Sequence, residues 1–417
     1  MSECLFLFYI SIMIKKLFYL LLLHTLLLVS GSSIHAQTPD NDLNTDLKNL
    51  LTKNSKNGRN SRNKKNNNNN ITIGCCIYDL TADSTLFEHN ADRMMIPAST
   101  QKLYTATAML STYGEDFTFM TSITTNGEEA MDTLGNIFLK GDIYINTNCD
   151  PTLTAEGARA IKDKIIAMGY DSIDGGIILC INEKTQHIRL AEDNFAPQVA
   201  KLLASDTVKF SSTLTWGKEN TTEKGMYPLG FIRTPLMKVM NRMLKSSDNI
   251  YAESMLLNLV KNDDNWSYDG CKDIVRKMVE DICTNYRPDV LSGSISNYYY
   301  NIADGSGLSR SNKTTAQSQV DLLRYVYHNK NIFQLLYDNM PIAGVDGTLG
   351  HRMTDGMAHN NVHAKTGTLN GVSTLSGYLT AANGHDIAFS ILINNCYDKP
   401  FARSLQNKLC EVLSKIE

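Results

Sequence analysis

Residues 376–394, SGYLTAANGHDIAFSILIN, read as two strands joined by a tight turn. Ser376 to Ala382 and Asp386 to Asn394 carry the strand-forming residues, and Asn383-Gly384 between them tolerates the left-handed backbone of a two-residue hairpin. Val362 to Thr368 just upstream reads as a further strand, and Pro400 to Ile416 closes the chain as an amphipathic helix. At the other end, Ile71 to Leu80 and Ser84 to Glu88 show the same hairpin pattern. Between the two ends lie helical periodicities: Pro235 to Leu259, broken near Ser246 to Asn249, then 268–284 and 314–339. Strands at both ends with helices between them predict an α+β fold, one antiparallel sheet built from both chain ends and covered by helices on both faces.

Residues 116–225 change character, with short strands at Ile137 to Lys140 and Gly176 to Ile181 and a helix from Ala155 to Met168. They are expected to form an inserted α/β subdomain, leaving 71–115 and 226–417 as one domain. No internal repeat is visible. The chain has 417 residues, 40 Lys plus Arg against 43 Asp plus Glu, and a formal charge of -3. That balance leaves no basic field to hold nucleic acid. Nine histidines include no HExxH, and nine cysteines include no CxxC, so neither a metal site nor a redox pair is indicated. The cysteines read as small core residues, with a bridge still open in an oxidising compartment.

The first 36 residues look like an address label. Lys15 and Lys16 precede the apolar run Leu17 to Val29, followed by Ser33-Ile34-His35-Ala36-Gln37. This is the layout of a secretory signal cleaved after Ala36, and Met13 makes a natural start for it. The rival reading is a retained anchor, but the run falls short of the roughly twenty residues needed to span a bilayer. Residues 37–70, ending in Lys64-Lys65 and five asparagines, read as a disordered, solvated Asn/Lys-rich linker. The expected location is the periplasm.

Chemistry enters at Pro97-Ala98-Ser99-Thr100-Gln101-Lys102, where Leu103, Ala106 and Leu110 follow at helical spacing. Ser99 is expected to begin a buried helix. Positions three apart on a helix share a face, so the Lys102 amine can sit beside the Ser99 hydroxyl. A serine hydroxyl becomes a good nucleophile only when a base takes its proton. Burial lowers a lysine's affinity for its own proton and makes it such a base. Ser247-Asp248-Asn249 falls at the break in a helical pattern, where Ser247 can relay a proton and the Asn249 amide can hold a substrate amide. His363-Ala364-Lys365-Thr366-Gly367-Thr368 lies on a predicted strand. There Lys365 and Gly367 share a face, offering fixed positive charge and close backbone approach. Each motif alone is commonplace, but the order SxxK, SDN, KTG is that of serine β-lactamases and penicillin-binding proteins.

The chain resembles the D-alanyl-D-alanine carboxypeptidase/endopeptidase family of low-molecular-mass penicillin-binding proteins, those with an insertion between SxxK and SxN. Further matches are Asp150-Pro151-Thr152-Leu153, Asp304-Gly305-Ser306-Gly307-Leu308-Ser309-Arg310 and Gly344-Val345-Asp346-Gly347-Thr348-Leu349. The resemblance implies a β-lactamase/transpeptidase-like fold and an acyl-enzyme on Ser99, with Lys102 as base and Ser247 as relay. It further implies Asn249 as substrate ligand, Lys365 as a source of positive potential and Thr366 as a holder of the terminal carboxylate of the substrate, with Gly367 a substrate-binding position where backbone approaches closely. The backbone N–H groups of Ser99 and Thr368 would receive the oxyanion, and Arg310 would face the stem-peptide side chain. Peptidoglycan stem peptides are the implied substrates and β-lactam antibiotics the implied covalent inhibitors, with no cofactor or metal. Ser99 and Ser247 lie closer in sequence than in fuller members, and the Trp-rich acidic motif that usually follows Asp-Pro-Thr-Leu is missing, with Glu192 or Asp193 as stand-ins. A serine β-lactamase, and a homologue that binds peptidoglycan with impaired turnover, are the alternative readings.

Overall fold

The computed structural model describes residues 41–57, 71–153, 155–181, 184, 187, 209–210, 215–218, 226–260, 265–287 and 300–417. Two compact units divide the chain, residues 1–48 and 49–417. The expected signal segment, with Lys15 to Gln37, lies outside the described residues, as do Glu192 and Asp193. Helix α1 (Asn41–Asn57) occupies much of the stretch expected to be disordered. Leu43, Leu47, Leu50 and Leu51 recur there at helical spacing, and Leu47 and Leu51 are buried. The polar residues around those leucines hide the stripe in the average composition.

Strands β1 (Thr72–Asp79) and β2 (Ser84–His89) open the main sheet. A 3-10 turn, Ala98–Thr100, then leads into α2 (Gln101–Tyr113), so Ser99 stands on that turn just ahead of the α-helix. Gly114 stops α2 with φ +70, its N–H donating to the Leu110 carbonyl. The expected stripe of Leu103, Ala106 and Leu110 is only part of what this helix buries. Every residue from Gln101 to Leu110 is buried, which makes α2 a central helix surrounded by other elements.

The second sheet begins at β3 (Thr118–Thr125), followed by β4 (Glu128–Met131), β5 (Ile137–Lys140) and β6 (Ile143–Asn146). Helix α3 (Ala155–Ile166) leads to β7 (Ser172–Asp174), β8 (Ile177–Ile181), β9 (Lys209–Phe210), β10 (Thr215–Lys218) and β11 (Tyr227–Pro235). The order β10-β8-β6-β3-β11 forms one sheet and β4-β5-β7-β9 a smaller one. Ile123, Ile143, Ile145, Ile161, Ile165 and Leu179 gather in a core of their own. Strand β11 pairs with β3 along its whole length, so the second sheet runs past residue 226 to Pro235. Tyr227 to Pro235 is therefore strand, where helix was expected to start at Pro235.

Helix α4 (Leu236–Lys245) and helix α5 (Asn249–Leu257) are separated by Ser246-Ser247-Asp248. Asp248 caps α5 by accepting the Ile250 N–H at 3.1 Å. Helix α6 (Tyr268–Tyr286) is capped by Ser267, and the ribbon β12 (Tyr300–Asn301) and β13 (Lys313–Thr314) flanks the loop 302–312. The helical stretch expected over 314–339 is two helices, α7 (Ala316–His328) and α8 (Lys330–Asn339), hinged at Asn329.

The chain returns to the main sheet as β14 (His363–Leu369), β15 (Val372–Thr380) and β16 (Asp386–Asn394), and ends in α9 (Lys399–Leu413). The sheet order is β14-β15-β16-β1-β2, with Thr72 opposite Asn394 in antiparallel register. The two chain ends thus build one sheet. Strand β15 starts at Val372, ahead of the expected Ser376. The β15–β16 connection is the five residues 381–385 rather than two, because Asn383 spends its side chain on the His385 N–H and its own N–H on the Ile416 carbonyl. The described cysteines, Cys75 to Cys410, are buried and unbridged.

Candidate active site

Ser99 is seated by contacts on three sides. Asn394 of β16 accepts the Ile96 N–H at 2.9 Å and donates to the Ile96 carbonyl at 3.2 Å. Thr374 of β15 donates to the Pro97 carbonyl at 2.7 Å, and the buried Gln319 amide of α7 donates to Thr100 Oγ1 at 2.7 Å. Gln319 also accepts from Ser376 Oγ at 2.5 Å and Ser390 Oγ at 2.9 Å, tying the turn to the sheet. Ala98, just before Ser99, is held at φ +47, a left-handed strain that a non-glycine residue keeps only where its surroundings enforce it.

Lys102 is fully buried, and its Nζ donates to Ser99 Oγ at 3.1 Å, to Asn249 Oδ1 at 2.7 Å and to the Ser306 carbonyl at 2.7 Å. Three donors of an ammonium meet three acceptors. Burial pulls the Lys102 pKa down to about 8, against the pull of Glu253, Asp304 and Asp248 in the other direction. The amine therefore becomes neutral, and able to take a proton, within reach of physiological pH. Asn249 gives its oxygen to Lys102 and so keeps its amide hydrogens for another partner.

A second buried amine lies opposite. Lys365 Nζ donates to Ser247 Oγ at 2.9 Å and to the Thr366 carbonyl at 2.8 Å. Burial first, and the positive Lys102 second, push its pKa well down. Ser247 itself has φ +61, so the break between α4 and α5 aims this hydroxyl through a backbone conformation that costs about 1–3 kcal/mol. Lys245, two residues earlier, anchors the break by an ion pair to Asp346 at 2.6 Å and a bond to the Met340 carbonyl at 2.5 Å.

Strand β14 runs directly against the Ser99 turn. A methyl group added at Gly367 would lie 2.9 Å from Ser99 N and 2.8 Å from the Pro97 carbonyl, so only glycine fits. Thr366 shares a 2.6 Å hydroxyl contact with Thr348. Thr368 is partly exposed on the same strand. Arg310 is exposed at the rim and donates to the Asn370 carbonyl at 2.9 Å, beside the β14–β15 turn. SxxK, SDN and KTG, remote along the chain, thus converge on one centre of two lysines and two serines.

Two contributors have roles that motif reading does not give, although Asp304 opens the quoted stretch Asp304 to Arg310. Asp304 organises the loop 304–312 by accepting the Gly307 and Ser309 N–H groups, both at 2.6 Å, and Asn312 Nδ2 at 2.9 Å. Glu253, one helical turn beyond Asn249, accepts the Ser306 N–H at 2.9 Å. Nothing in the spacing of either residue announces these bonds.

The sequence profile of the D-Ala-D-Ala carboxypeptidase 3 (S13) family matches residues 62–187 and 183–416. The chain belongs to this family. It is accordingly a serine-type carboxypeptidase and a peptidoglycan-acting serine peptidase. Among curated relatives, the D-alanyl-D-alanine carboxypeptidase DacB of Haemophilus influenzae is 22% identical over 428 residues, covering 77% of this chain and 85% of that protein. The D-alanyl-D-alanine carboxypeptidase of Actinomadura sp. (strain R39) is 24% identical, covering 82% of this chain and 81% of that one. The crystal structure of penicillin binding protein 4 from Haemophilus influenzae superposes with a TM-score of 0.68 at 20% identity, over 89% of this chain and 100% of that one. That likeness shows that the chain shares the α+β fold of that penicillin binding protein.

Proposed function

We propose that this S13 peptidase is a periplasmic D-Ala-D-Ala carboxypeptidase and endopeptidase that works through an acyl-enzyme on Ser99 and is acylated in the same way by penicillins. The observation that carries the reading is the fully buried Lys102 amine, 3.1 Å from Ser99 Oγ. Neutral Lys102 takes the Ser99 proton as Oγ attacks the penultimate D-alanine carbonyl, forming the C–O bond. The Ser99 N–H beside Gly367, with that of Thr368, receives the developing oxyanion. Ser247, bonded to Lys365, passes its proton to the departing amine as the C–N bond breaks, and the proton held by Lys102 replaces it. Water then cleaves the ester, its hydroxyl going to the acyl carbon and its remaining proton to Ser99 Oγ. In support, penicillin binding protein 4 of Haemophilus influenzae has been solved complexed with a β-lactam.

Incubation with a fluorescent penicillin, proteolysis and mass spectrometry test the reading. One adduct on the peptide holding Ser99 is expected, and no adduct or one elsewhere would overturn it. An adduct lost within seconds would favour a β-lactamase. Arg310, exposed beside the cleft, is assigned to the carboxylate of the stem-peptide side chain, which its guanidinium can grip through two N–H groups. Arg310→Ala is expected to slow hydrolysis of full stem peptides about tenfold or more, the loss of one charged hydrogen bond, while penicillin acylation stays within about twofold. Equal losses in both assays would refute that role. Export rests on the basic, apolar and small-residue segments before Gln37, and cell fractionation tests it.

A further inference from the structure

We propose that Glu253 is a positioning residue of this centre: its carboxylate holds the N–H of Ser306, the residue whose carbonyl receives the Lys102 amine, and its negative charge raises the pH at which that amine releases its proton. The proposal rests on the acyl-transfer reading above. The two ends of the Ser306 residue carry it. The Ser306 N–H donates to Glu253 Oε1 at 2.9 Å, and the Ser306 carbonyl accepts from Lys102 Nζ at 2.7 Å. Glu253 thus reaches Lys102 through one residue of the loop 304–312.

The other carboxylate oxygen, Oε2, accepts the Tyr268 hydroxyl at 3.2 Å, which also lies 3.2 Å from the Ala303 carbonyl. Both oxygens therefore face donors, which favour the ionised carboxylate against burial and the nearby Asp304, the two influences that push this carboxyl above its ordinary range. Gly305, between the two acids of this corner, cannot be larger: a methyl there would lie 2.9 Å from the Ala252 carbonyl and from Leu256 Cβ. The loop is consequently seated on α5 next to Glu253 by backbone contact as well as by the hydrogen bond.

The charges around the pair are few and come from each packed element. Lys102 faces Glu253 from α5, Asp248 from the α4–α5 break, Asp304 from the loop and Lys365 from β14. Glu253 faces Asp304 and, from α6, Tyr268, over whose ring Lys272 Nζ sits at 4.8 Å. Among the carboxylates acting on Lys102, Glu253 acts most strongly. It holds the Ser306 N–H, while Asp304 holds the same residue through its hydroxyl at 3.1 Å and through the Gly307 N–H at 2.6 Å.

The sign follows from Coulomb's law. A negative charge near Lys102 favours the ammonium, which cannot accept the Ser99 proton, so acylation should rise with pH along a limb governed by Lys102. Removing the charge while keeping the shape moves that limb to lower pH. Glu253→Gln does this, since its amide oxygen still accepts the Ser306 N–H while the Tyr268 hydroxyl turns to accept from Nε2 and donate to Ala303. The test is the pH dependence of the second-order acylation rate by a fluorescent penicillin, with Glu253→Ala alongside. Wild type is expected to show an acid limb near 8. Glu253→Gln should shift it down by about half a unit to one unit with the high-pH plateau kept within about threefold. Glu253→Ala strips partners from Ser306 and Tyr268 and should lower the plateau as well. Wild type and Glu253→Gln sharing one acid limb would overturn the proposal and leave the acyl-enzyme reading intact. Wild type that fails to label would overturn both.

Discussion

Replacing Ser99 by alanine is expected to abolish penicillin labelling and to lower peptide hydrolysis by on the order of a million-fold, the loss seen when groups that act as one catalytic unit are broken. The substitution removes a single hydroxyl. Lys102 keeps Asn249 and the Ser306 carbonyl as partners, and the turn keeps its clamps from Thr374, Gln319 and Asn394. The melting temperature should therefore stay close to wild type, separating lost chemistry from lost structure. Ser247 and Ser306 lie near the same lysines, so the measurement is an adduct map of the variant. Persistent label on either serine would break the assignment of Ser99 as nucleophile.

The second large effect belongs to a residue with no side chain. Gly307 has φ +81, and a methyl group there would lie 1.8 Å from the Ala98 carbonyl oxygen and 2.9 Å from Gln101 Cβ. Ala98 is already strained and directly precedes the nucleophile, so Gly307→Ala must push on the one turn that places Ser99. Misplacing a reacting group by about 1 Å costs roughly a hundredfold in rate. Acylation by penicillin is expected to fall by about that factor, with a lower melting temperature. Gly384→Ala is the matched control. Its φ of +83 is nearly the same, but nothing lies within 4 Å of the added methyl. It should cost roughly 1–2 kcal/mol of stability and leave acylation unchanged. A Gly307→Ala protein that acylates within a few-fold of wild type would show that the turn yields without moving Ser99.

How much of this was readable beforehand depends on the range of the interaction. The Ser99 to Lys102 contact is expected from their spacing of three, although Ser99 stands on a 3-10 turn that distant residues clamp, and hairpin patterns at both chain ends are enough to predict the shared sheet. The Lys365 to Ser247 bond joins residues far apart in sequence, and only the tertiary fold sets it. Glu253 is less legible still. A glutamate on an apolar-looking helix carries no local mark of the peptide it holds, because that peptide arrives from residue 306. Helix α1 escaped for a different reason: four leucines among lysines and asparagines are erased by averaging composition over 37–70. The second sheet reaches Pro235 because Tyr227 to Pro235 finds a long partner in β3, a pairing that no periodicity within the strand reveals.

The pairing of Thr72 with Asn394 has a temporal meaning. Nearly the whole folded chain must be synthesised before β1 can find β16, and the same Asn394 steadies the backbone at Ile96, next to the catalytic turn. Contacts this distant form late and slowly. A ribosome-bound or truncated chain ending before that asparagine lacks the last brace of its nucleophile, so hydrolytic power arrives only with the final strand.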